Sequence, residues 1–247
     1  LISMSSSKSR ALNIYKKYKF LRPLYVFYNI YIRNFKFLYN GSQFGEEEIL
    51  EKLFKKNFKG TYLDIGCFHP TKFNNTNKLY KAGWTGINID LNPFTIDLFK
   101  FARPRDINIC AALSNKKKKT KLYYHHDLSS QNTLSANHVK WMEGHFRLKN
   151  LGVRNIKTKK LKDILNYHSV KKIDFLNIDI EGVEYEVISS INLNKFKVQV
   201  ICIEILEYNK IQKINKRKII KYLKKNNFKK VTKIRENYIF KKSHSKQ

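Results

Sequence analysis

The sequence predicts an α/β protein with a doubly wound, mostly parallel sheet and one reversed edge strand, and three observations carry that prediction. From Gly41 onward, strand-like and helix-like segments alternate along the chain. The strand candidates are unbroken apolar runs rather than alternating ones, as expected when helices cover both faces of a sheet. The last two strand candidates, Phe228–Ile234 and Tyr238–Lys242, follow each other with only a short turn between them, which suits an antiparallel addition at one edge. The chain has 247 residues, room for one such domain. The expected division is a basic, aromatic extension over 1–40 and the α/β domain over 41–247.

In chain order, residues 1–10 are rich in Ser and Lys and read as a disordered lead. Residues 11–40 mix aromatic and aliphatic side chains with Lys and Arg, and Pro23 starts or breaks a helix there. This segment reads either as an interfacial stretch lying on an anionic membrane or as a helical extension packed on protein. In the domain, Glu46–Phe54 shows helical spacing of Ile49, Leu50, Leu53 and Phe54 behind three first-turn acids. Tyr62–Ile65 is a buried strand, Asn74–Ala82 a helix, Gly86–Asp90 a strand, Phe94–Phe101 a helix and Ile107–Leu113 a strand. The lysine turn Lys116–Lys119 leads into strand Lys121–His125, and 126–157 is irregular and polar. Leu161–Tyr167 is a helix, Ile173–Asp179 a strand, Glu184–Ser190 a helix, Val198–Ile205 a strand and Lys216–Asn226 a basic amphipathic helix.

Composition limits the function classes. Fifty Lys and Arg face 19 Asp and Glu, for a formal charge of +31. Nine of the 50 are Arg and 41 Lys, so the bidentate reader of phosphate and guanine is scarce. The charge fits attraction to an anionic surface or substrate better than nucleic-acid binding, which stays as an alternative. No run of about 18 apolar residues suggests a membrane span. Cys67, Cys110 and Cys202 lie far apart, forming neither a disulfide framework nor a zinc site of paired ligands. No metal ligand set is assigned, and a reduced cytoplasmic setting is expected, with contact at the inner face of a membrane through 11–40.

Three strand ends carry the chemistry. Tyr62-Leu63-Asp64-Ile65-Gly66 runs from an apolar strand into an acid, a glycine and the loop Cys67–Pro70. Ligands of open α/β sheets sit beyond such carboxyl ends. About twenty residues later, Gly86-Ile87-Asn88-Ile89-Asp90 ends a second strand in an acid, the place where ribose hydroxyls are gripped. Cys67, Phe68, His69 and Pro70 stand where a pyrophosphate loop would have glycines, so the pair points to an adenosyl ligand without phosphates, S-adenosyl-L-methionine. Third, Asp179, Glu181 and Glu184 follow the strand from Ile173 within six residues, in a chain poor in acids. Burying Asp179 and Glu181 at a strand end calls for a partner: a cationic ligand group, a substrate hydroxyl, a lysine or a metal. Glu204 ends the next strand.

These segments resemble the FkbM-type methyltransferases. The resemblance rests on Ser42–Glu46, Gly60–Gly66, His69-Pro70, Asn75-Thr76, Gly83–Asp90, Asn92-Pro93, Thr158 with Leu161–Leu165, and Asp174–Glu184, and it spans 42–242 in order. It implies a class I methyltransferase with a Rossmann-like, seven-stranded sheet. The implied activity is S-adenosylmethionine-dependent methylation, often of oxygen, in glycans, lipid-linked sugars or secondary metabolites. The Cys67–Pro70 loop departs from the family pattern by lacking its later glycine.

The expected cofactor contacts are Asp64 and Gly66 at the methionine end, with Cys67 and Phe68 of the following loop. Asp90 would take the ribose, with Leu91, Asn92, Ala111 and Ala112 around the adenine. His69 is the first choice of general base because imidazole titrates near neutrality, with Asp179 or Glu181 next. Ser129–Thr133 is a candidate substrate loop, and Trp141 a core residue or a sugar platform. His125 and His126, adjacent on a strand, point to opposite faces and make a poor metal pair. A nucleic-acid methyltransferase and a noncatalytic membrane-associated partner in glycan assembly are the alternatives.

Overall fold

The computed structural model describes residues 14–33, 41–124, 129, 132–146 and 152–243. Its helices are α1 (Arg22–Phe27), α2 (Glu46–Leu53), α3 (Asn77–Lys81), α4 (Pro93–Ala102), α5 (Ala136–Phe146), α6 (Leu161–Tyr167), α7 (Glu184–Ile188) and α8 (Lys210–Lys225). The strands are β1 (Thr61–Ile65), β2 (Thr85–Asp90), β3 (Ile107–Cys110), β4 (Ala112–Leu113), β5 (Lys119–Tyr124), β6 (Gly152–Lys159), β7 (Phe175–Ile178), β8 (Val200–Glu204), β9 (Phe228–Ile234) and β10 (Asn237–Lys242).

Seven strands form one sheet in the order β3-β2-β1-β7-β8-β10-β9. The pairs β1·β2, β2·β3, β1·β7 and β7·β8 are parallel, and β10 runs antiparallel to both β8 and β9. The reversed strand therefore lies one place in from the edge, and β9 outside it resumes the common direction. The order reverses at β1, which opens a crevice beyond the carboxyl ends of β1, β2, β7 and β8.

Both faces of the central strands are apolar, as the unbroken runs predicted. Leu63, Ile65, Leu176, Ile178, Ile201 and Ile203 pack on one side with Leu161 and Leu165 of α6, Val187 and Ile188 of α7, and Ile219 and Leu223 of α8. Their neighbours Tyr62, Phe175, Val200 and Cys202 pack on the other with Leu50 of α2, Leu79 of α3 and Trp84. This is the two-sided burial of a parallel sheet.

The structure departs from the expected elements in three places. The single strand expected over Ile107–Leu113 is divided: β3 pairs with β2, while β4 turns away to pair with β6. The region 126–157, expected to be irregular, contains α5 and most of β6, which pairs antiparallel with β5. Most of β6 is exposed, so pairing rather than an apolar pattern defines it. Helix α8 begins at Lys210, ahead of the expected Lys216, because the Asn209 side chain caps it by accepting from Gln212 N–H at 2.9 Å.

The 14–33 segment packs on the domain. Tyr15, Val26 and Ile30 bury against Phe94 and Leu98 of α4, and Tyr15 Oη donates to Asp97 at 2.5 Å. Pro23 sits in the first turn of α1, where its missing N–H costs nothing. A π-helical turn, Tyr28–Ile32, continues α1.

Candidate active site

The crevice is held open by backbone geometry at the end of β1. Gly66 has φ +77°, and a Cβ there would lie 1.6 Å from the Asp179 carbonyl oxygen. Only glycine lets the ends of β1 and β7 come this close. Gly66 N–H donates to Ile89 O at 2.8 Å and Asp179 N–H to Ile65 O at 2.9 Å, which ties three strand ends together. The loop then returns over β2: Phe68, at φ +51°, donates its N–H to Asp90 Oδ2 at 3.1 Å. Asn92 N–H donates to Asp90 Oδ1 at 2.8 Å. Backbone donors thus orient both Asp90 oxygens toward the cleft end of β2. Burial pushes its pKa up to about 6, against the lowering effect of those backbone bonds.

These elements line a cleft of about 470 Å³, a volume that suits a nucleoside-sized ligand. Asp64, Gly66, Cys67 and Phe68 come to it from β1 and its loop. Asp90, Leu91 and Asn92 come from the end of β2, and Ala111 and Ala112 from the β3–β4 junction. Asp179, Glu181 and Glu204 close the opposite side, and Ser129 and Asn132 of the expected substrate loop reach the rim. Asn92 also caps α4, accepting from Phe94 N–H at 3.0 Å. His125 and His126 lie outside the described residues.

Asp64 is wholly buried and fully engaged by its neighbours. It accepts from Thr76 Oγ1 at 2.8 Å and Asn74 Nδ2 at 3.0 Å on one oxygen, and from Asn177 Nδ2 at 2.9 Å on the other. Burial raises its pKa, opposed by these hydrogen bonds and by the Arg103 charge. Arg103, 1% exposed, donates to Thr76 Oγ1 at 2.7 Å, Asn74 Oδ1 at 2.8 Å and the Pro70 carbonyl. One buried cation therefore joins the floor of the cleft to its loop. Arg103 and Asn177 were not singled out from the sequence. Asn177 left a trace there, as a polar residue inside an apolar strand.

The far wall is acidic. Asp179 is open to the cleft yet ringed by protein, and its pKa rises to about 7 through burial first, then the charges of Glu184, Asp64 and Asp90. Glu181 and Glu204 are also pushed up, chiefly by burial. Glu204 Oε2 is buried without a hydrogen-bond partner among the described residues. Glu181 has φ +56° before Gly182 at φ +104°; its carbonyl accepts from Thr133 Oγ1 at 2.7 Å. Glu184 Oε1 braces the turn by accepting from Gly182 N–H at 2.7 Å. Asp179, Glu181 and Glu204 each place one oxygen within 4.8 Å of the others. An all-carboxylate set of this spread can accept a hard divalent cation or the ammonium or sulfonium of a ligand.

His69 does not join the cleft. It is 5% exposed, and its Nδ1 accepts from Lys72 N–H at 3.1 Å and Thr71 N–H at 3.2 Å. The ring also bonds the backbone of Asn29, and burial, with the Lys72 and Arg103 charges, drives its pKa down to about 3. Its basic nitrogen is spent on its own turn, so the placement does not support the expectation that His69 is the base. Among the described residues, the histidine that approaches the acids is His138 of α5. Its Nε2 is 3.1 Å from Glu181 Oε2, and its Nδ1 is 3.2 Å from Tyr208 Oη. Trp141 stacks on Tyr208 with centroids 4.6 Å apart.

The family model described as the methyltransferase FkbM domain matches residues 64–230, from the Asp64 strand end through to β9. The chain belongs to the FkbM methyltransferase family. The matched span takes in each of the acids at the strand ends described above, and it leaves the 14–33 segment outside. No curated protein sequence matches the chain. As an FkbM-domain methyltransferase, the protein has the expected Rossmann-like architecture, a mostly parallel seven-stranded sheet with helices on both faces. Among the described residues, no helix is long and apolar enough to cross a membrane.

Proposed function

We propose that this FkbM-domain methyltransferase uses S-adenosyl-L-methionine to methylate a hydroxyl of a glycan, a lipid-linked sugar or a secondary metabolite. The observation that carries the reading is a single cleft lined by Asp64, Gly66 and Asp90 on one side and by Asp179 on the other. Asp90, pre-oriented by the backbone N–H groups of Phe68 and Asn92, binds the ribose hydroxyls. Ala111 and Ala112 are small enough to admit the adenine beside Leu91 and Asn92. The Gly66–Phe68 turn, seated on the Asp64 network, receives the methionine end.

When bound, the sulfonium supplies its methyl to the attacking oxygen and leaves as a neutral thioether. The protein's part is alignment and proton removal. Asp179 is the base in this reading: it reaches the cleft, and a carboxyl raised to about 7 accepts a proton effectively near neutral pH. Glu181 and Glu204, which burial favours in their protonated form, line the same wall and offer polar atoms to the acceptor hydroxyl.

Isothermal titration with S-adenosylhomocysteine tests the site. Binding that Asp90→Ala and Asp64→Asn each weaken by about tenfold or more, about 1.4 kcal/mol, supports it. Absence of binding by folded protein overturns it. Transfer of labelled methyl to glycan, lipid-linked sugar and polyketide panels then identifies the acceptor.

A further inference from the structure

The 14–33 segment lies outside the matched domain and has two unlike sides. Inward, Tyr15, Val26 and Ile30 pack on α4. Outward, Leu24, Phe27, Tyr28, Tyr31 and Ile32 are 68%, 46%, 45%, 42% and 56% exposed. These positions recur every three or four residues. That spacing (i, i+3, i+4, i+7, i+8) puts them in one stripe on one face of the helical segment. The stripe continues onto the domain: Phe27 and Tyr31 pair at 4.9 Å, and each lies 6.5 Å from Phe101 of α4, itself 43% exposed. Phe20, 76% exposed, stands on the preceding turn. A contiguous aromatic and aliphatic face of this kind is uncommon on a protein that keeps it in water.

We propose that this face is a peripheral binding surface for an anionic lipid bilayer. Charge chooses the occupant. Exposed Lys16, Lys17 and Lys19 precede the stripe in the chain, and residues 1–40 contain no Asp or Glu; the first acid of the chain is Glu46. A second copy of the chain would bring the same cations against these, whereas an anionic headgroup layer neutralises them while the rings enter the interface. Tyr and Phe beside Lys is the composition that settles at headgroup depth. The surface is connected to the cleft by direct contacts. Helix α4, on which the segment docks, is capped by the cleft residue Asn92, and the His69 ring of the loop after β1 bonds the Asn29 backbone. The proposal concerns binding alone and does not depend on the methyl donor or acceptor.

Vesicle flotation of the full chain tests it, using phosphatidylcholine alone and phosphatidylcholine mixed with phosphatidylglycerol, at low and high salt. The expected result is binding to the anionic vesicles that is about tenfold or more tighter than to neutral ones and weakens with salt. The triple variant Leu24→Ser, Phe27→Ser, Tyr31→Ser and the triple variant Lys16→Glu, Lys17→Glu, Lys19→Glu should each lose about tenfold or more. Both should keep the wild-type thermal midpoint and S-adenosylhomocysteine affinity, since none of these side chains enters the core or the cleft. Unchanged anionic binding by the serine variant would overturn the proposal and leave only diffuse attraction to a chain of charge +31. No vesicle binding by folded wild type, or a dimer that the serine variant dissociates, would overturn it as well.

Discussion

Glu181 Oε2, in the loop after β7, and His138 Nε2, in the first turn of α5, face each other at 3.1 Å. The distance is that of an ion pair, yet burial holds His138 down to about 4 and raises Glu181. We therefore read the contact as a hydrogen bond within a neutral pair, because burial disfavours both charged forms. The second ring nitrogen is engaged by Tyr208, so His138 fixes the rotamer of Glu181 and, through it, the shape of the acidic wall. His138→Ala should lower kcat for methyl transfer by about tenfold, roughly 1.4 kcal/mol, with little change in S-adenosylhomocysteine affinity. Steady-state kinetics with the acceptor found by screening, beside titration of the cofactor product, checks the split.

Asp179 makes the stability of the ligand-free protein depend on pH. Its native pKa of about 7 lies above the ordinary 3.8, so the folded state holds a proton that the unfolded chain has released. The associated stability is complete below the ordinary value and is lost as pH rises through about 7. Asp179→Asn removes the effect, so its thermal midpoint relative to wild type should climb from pH 4 to pH 7 and then level off. A difference that stays flat with pH would contradict the raised pKa.

Kinetics separates Asp179 from His69 as the base. Asp179→Asn should reduce methyl transfer by about 100-fold or more, and wild-type kcat should rise with pH through about 7. His69→Gln should keep that pH profile, because His69 is turned into its own loop and away from the cleft. A pH–rate profile altered by His69→Gln and kept by Asp179→Asn would reverse the assignment.

Gly66→Ala places a methyl 1.6 Å from the Asp179 carbonyl at a backbone φ of +77°. Both the overlap and the left-handed conformation oppose it. Urea unfolding should show a loss of more than about 2 kcal/mol, and cofactor-product binding should weaken with it because β1 and β7 must separate.

Arg103→Leu tests the network beneath the cleft. The substitution preserves the apolar stem but takes the guanidinium from the Pro70 carbonyl, removes one of the donors to Asn74 Oδ1, which keeps Thr76 N–H and Oγ1, and withdraws the cation near Asp64. An unsatisfied buried group costs about 1–3 kcal/mol, so the unfolding midpoint in urea should fall by an amount matching about 2 kcal/mol. Arg103→Lys should recover only part of it, since a point charge cannot serve several acceptors in one plane.

The acids at the ends of β1, β2, β7 and β8 were legible in the sequence because each terminates an apolar run. Burial on both faces of a parallel sheet writes itself locally, residue after residue, and the carboxyl ends of such strands face one crevice whatever the rest of the chain does. Asp64, Asp90, Asp179 and Glu204 follow from that alone, as do the alternation of elements and the antiparallel pair at the end. Strand β6 was not legible, since an exposed strand held by pairing carries no apolar period. Nor could the sequence decide what each polar side chain touches. Arg103 meets Asn74 and Thr76 across 29 and 27 residues, and His138 meets Tyr208 across 70. Such contacts depend on how helices settle on the sheet. That packing turned His69 inward onto its own turn and left Asp179 at the cleft with a carboxyl raised to about 7. A base is chosen by solvent access and neighbouring charge, and both are properties of the assembled fold.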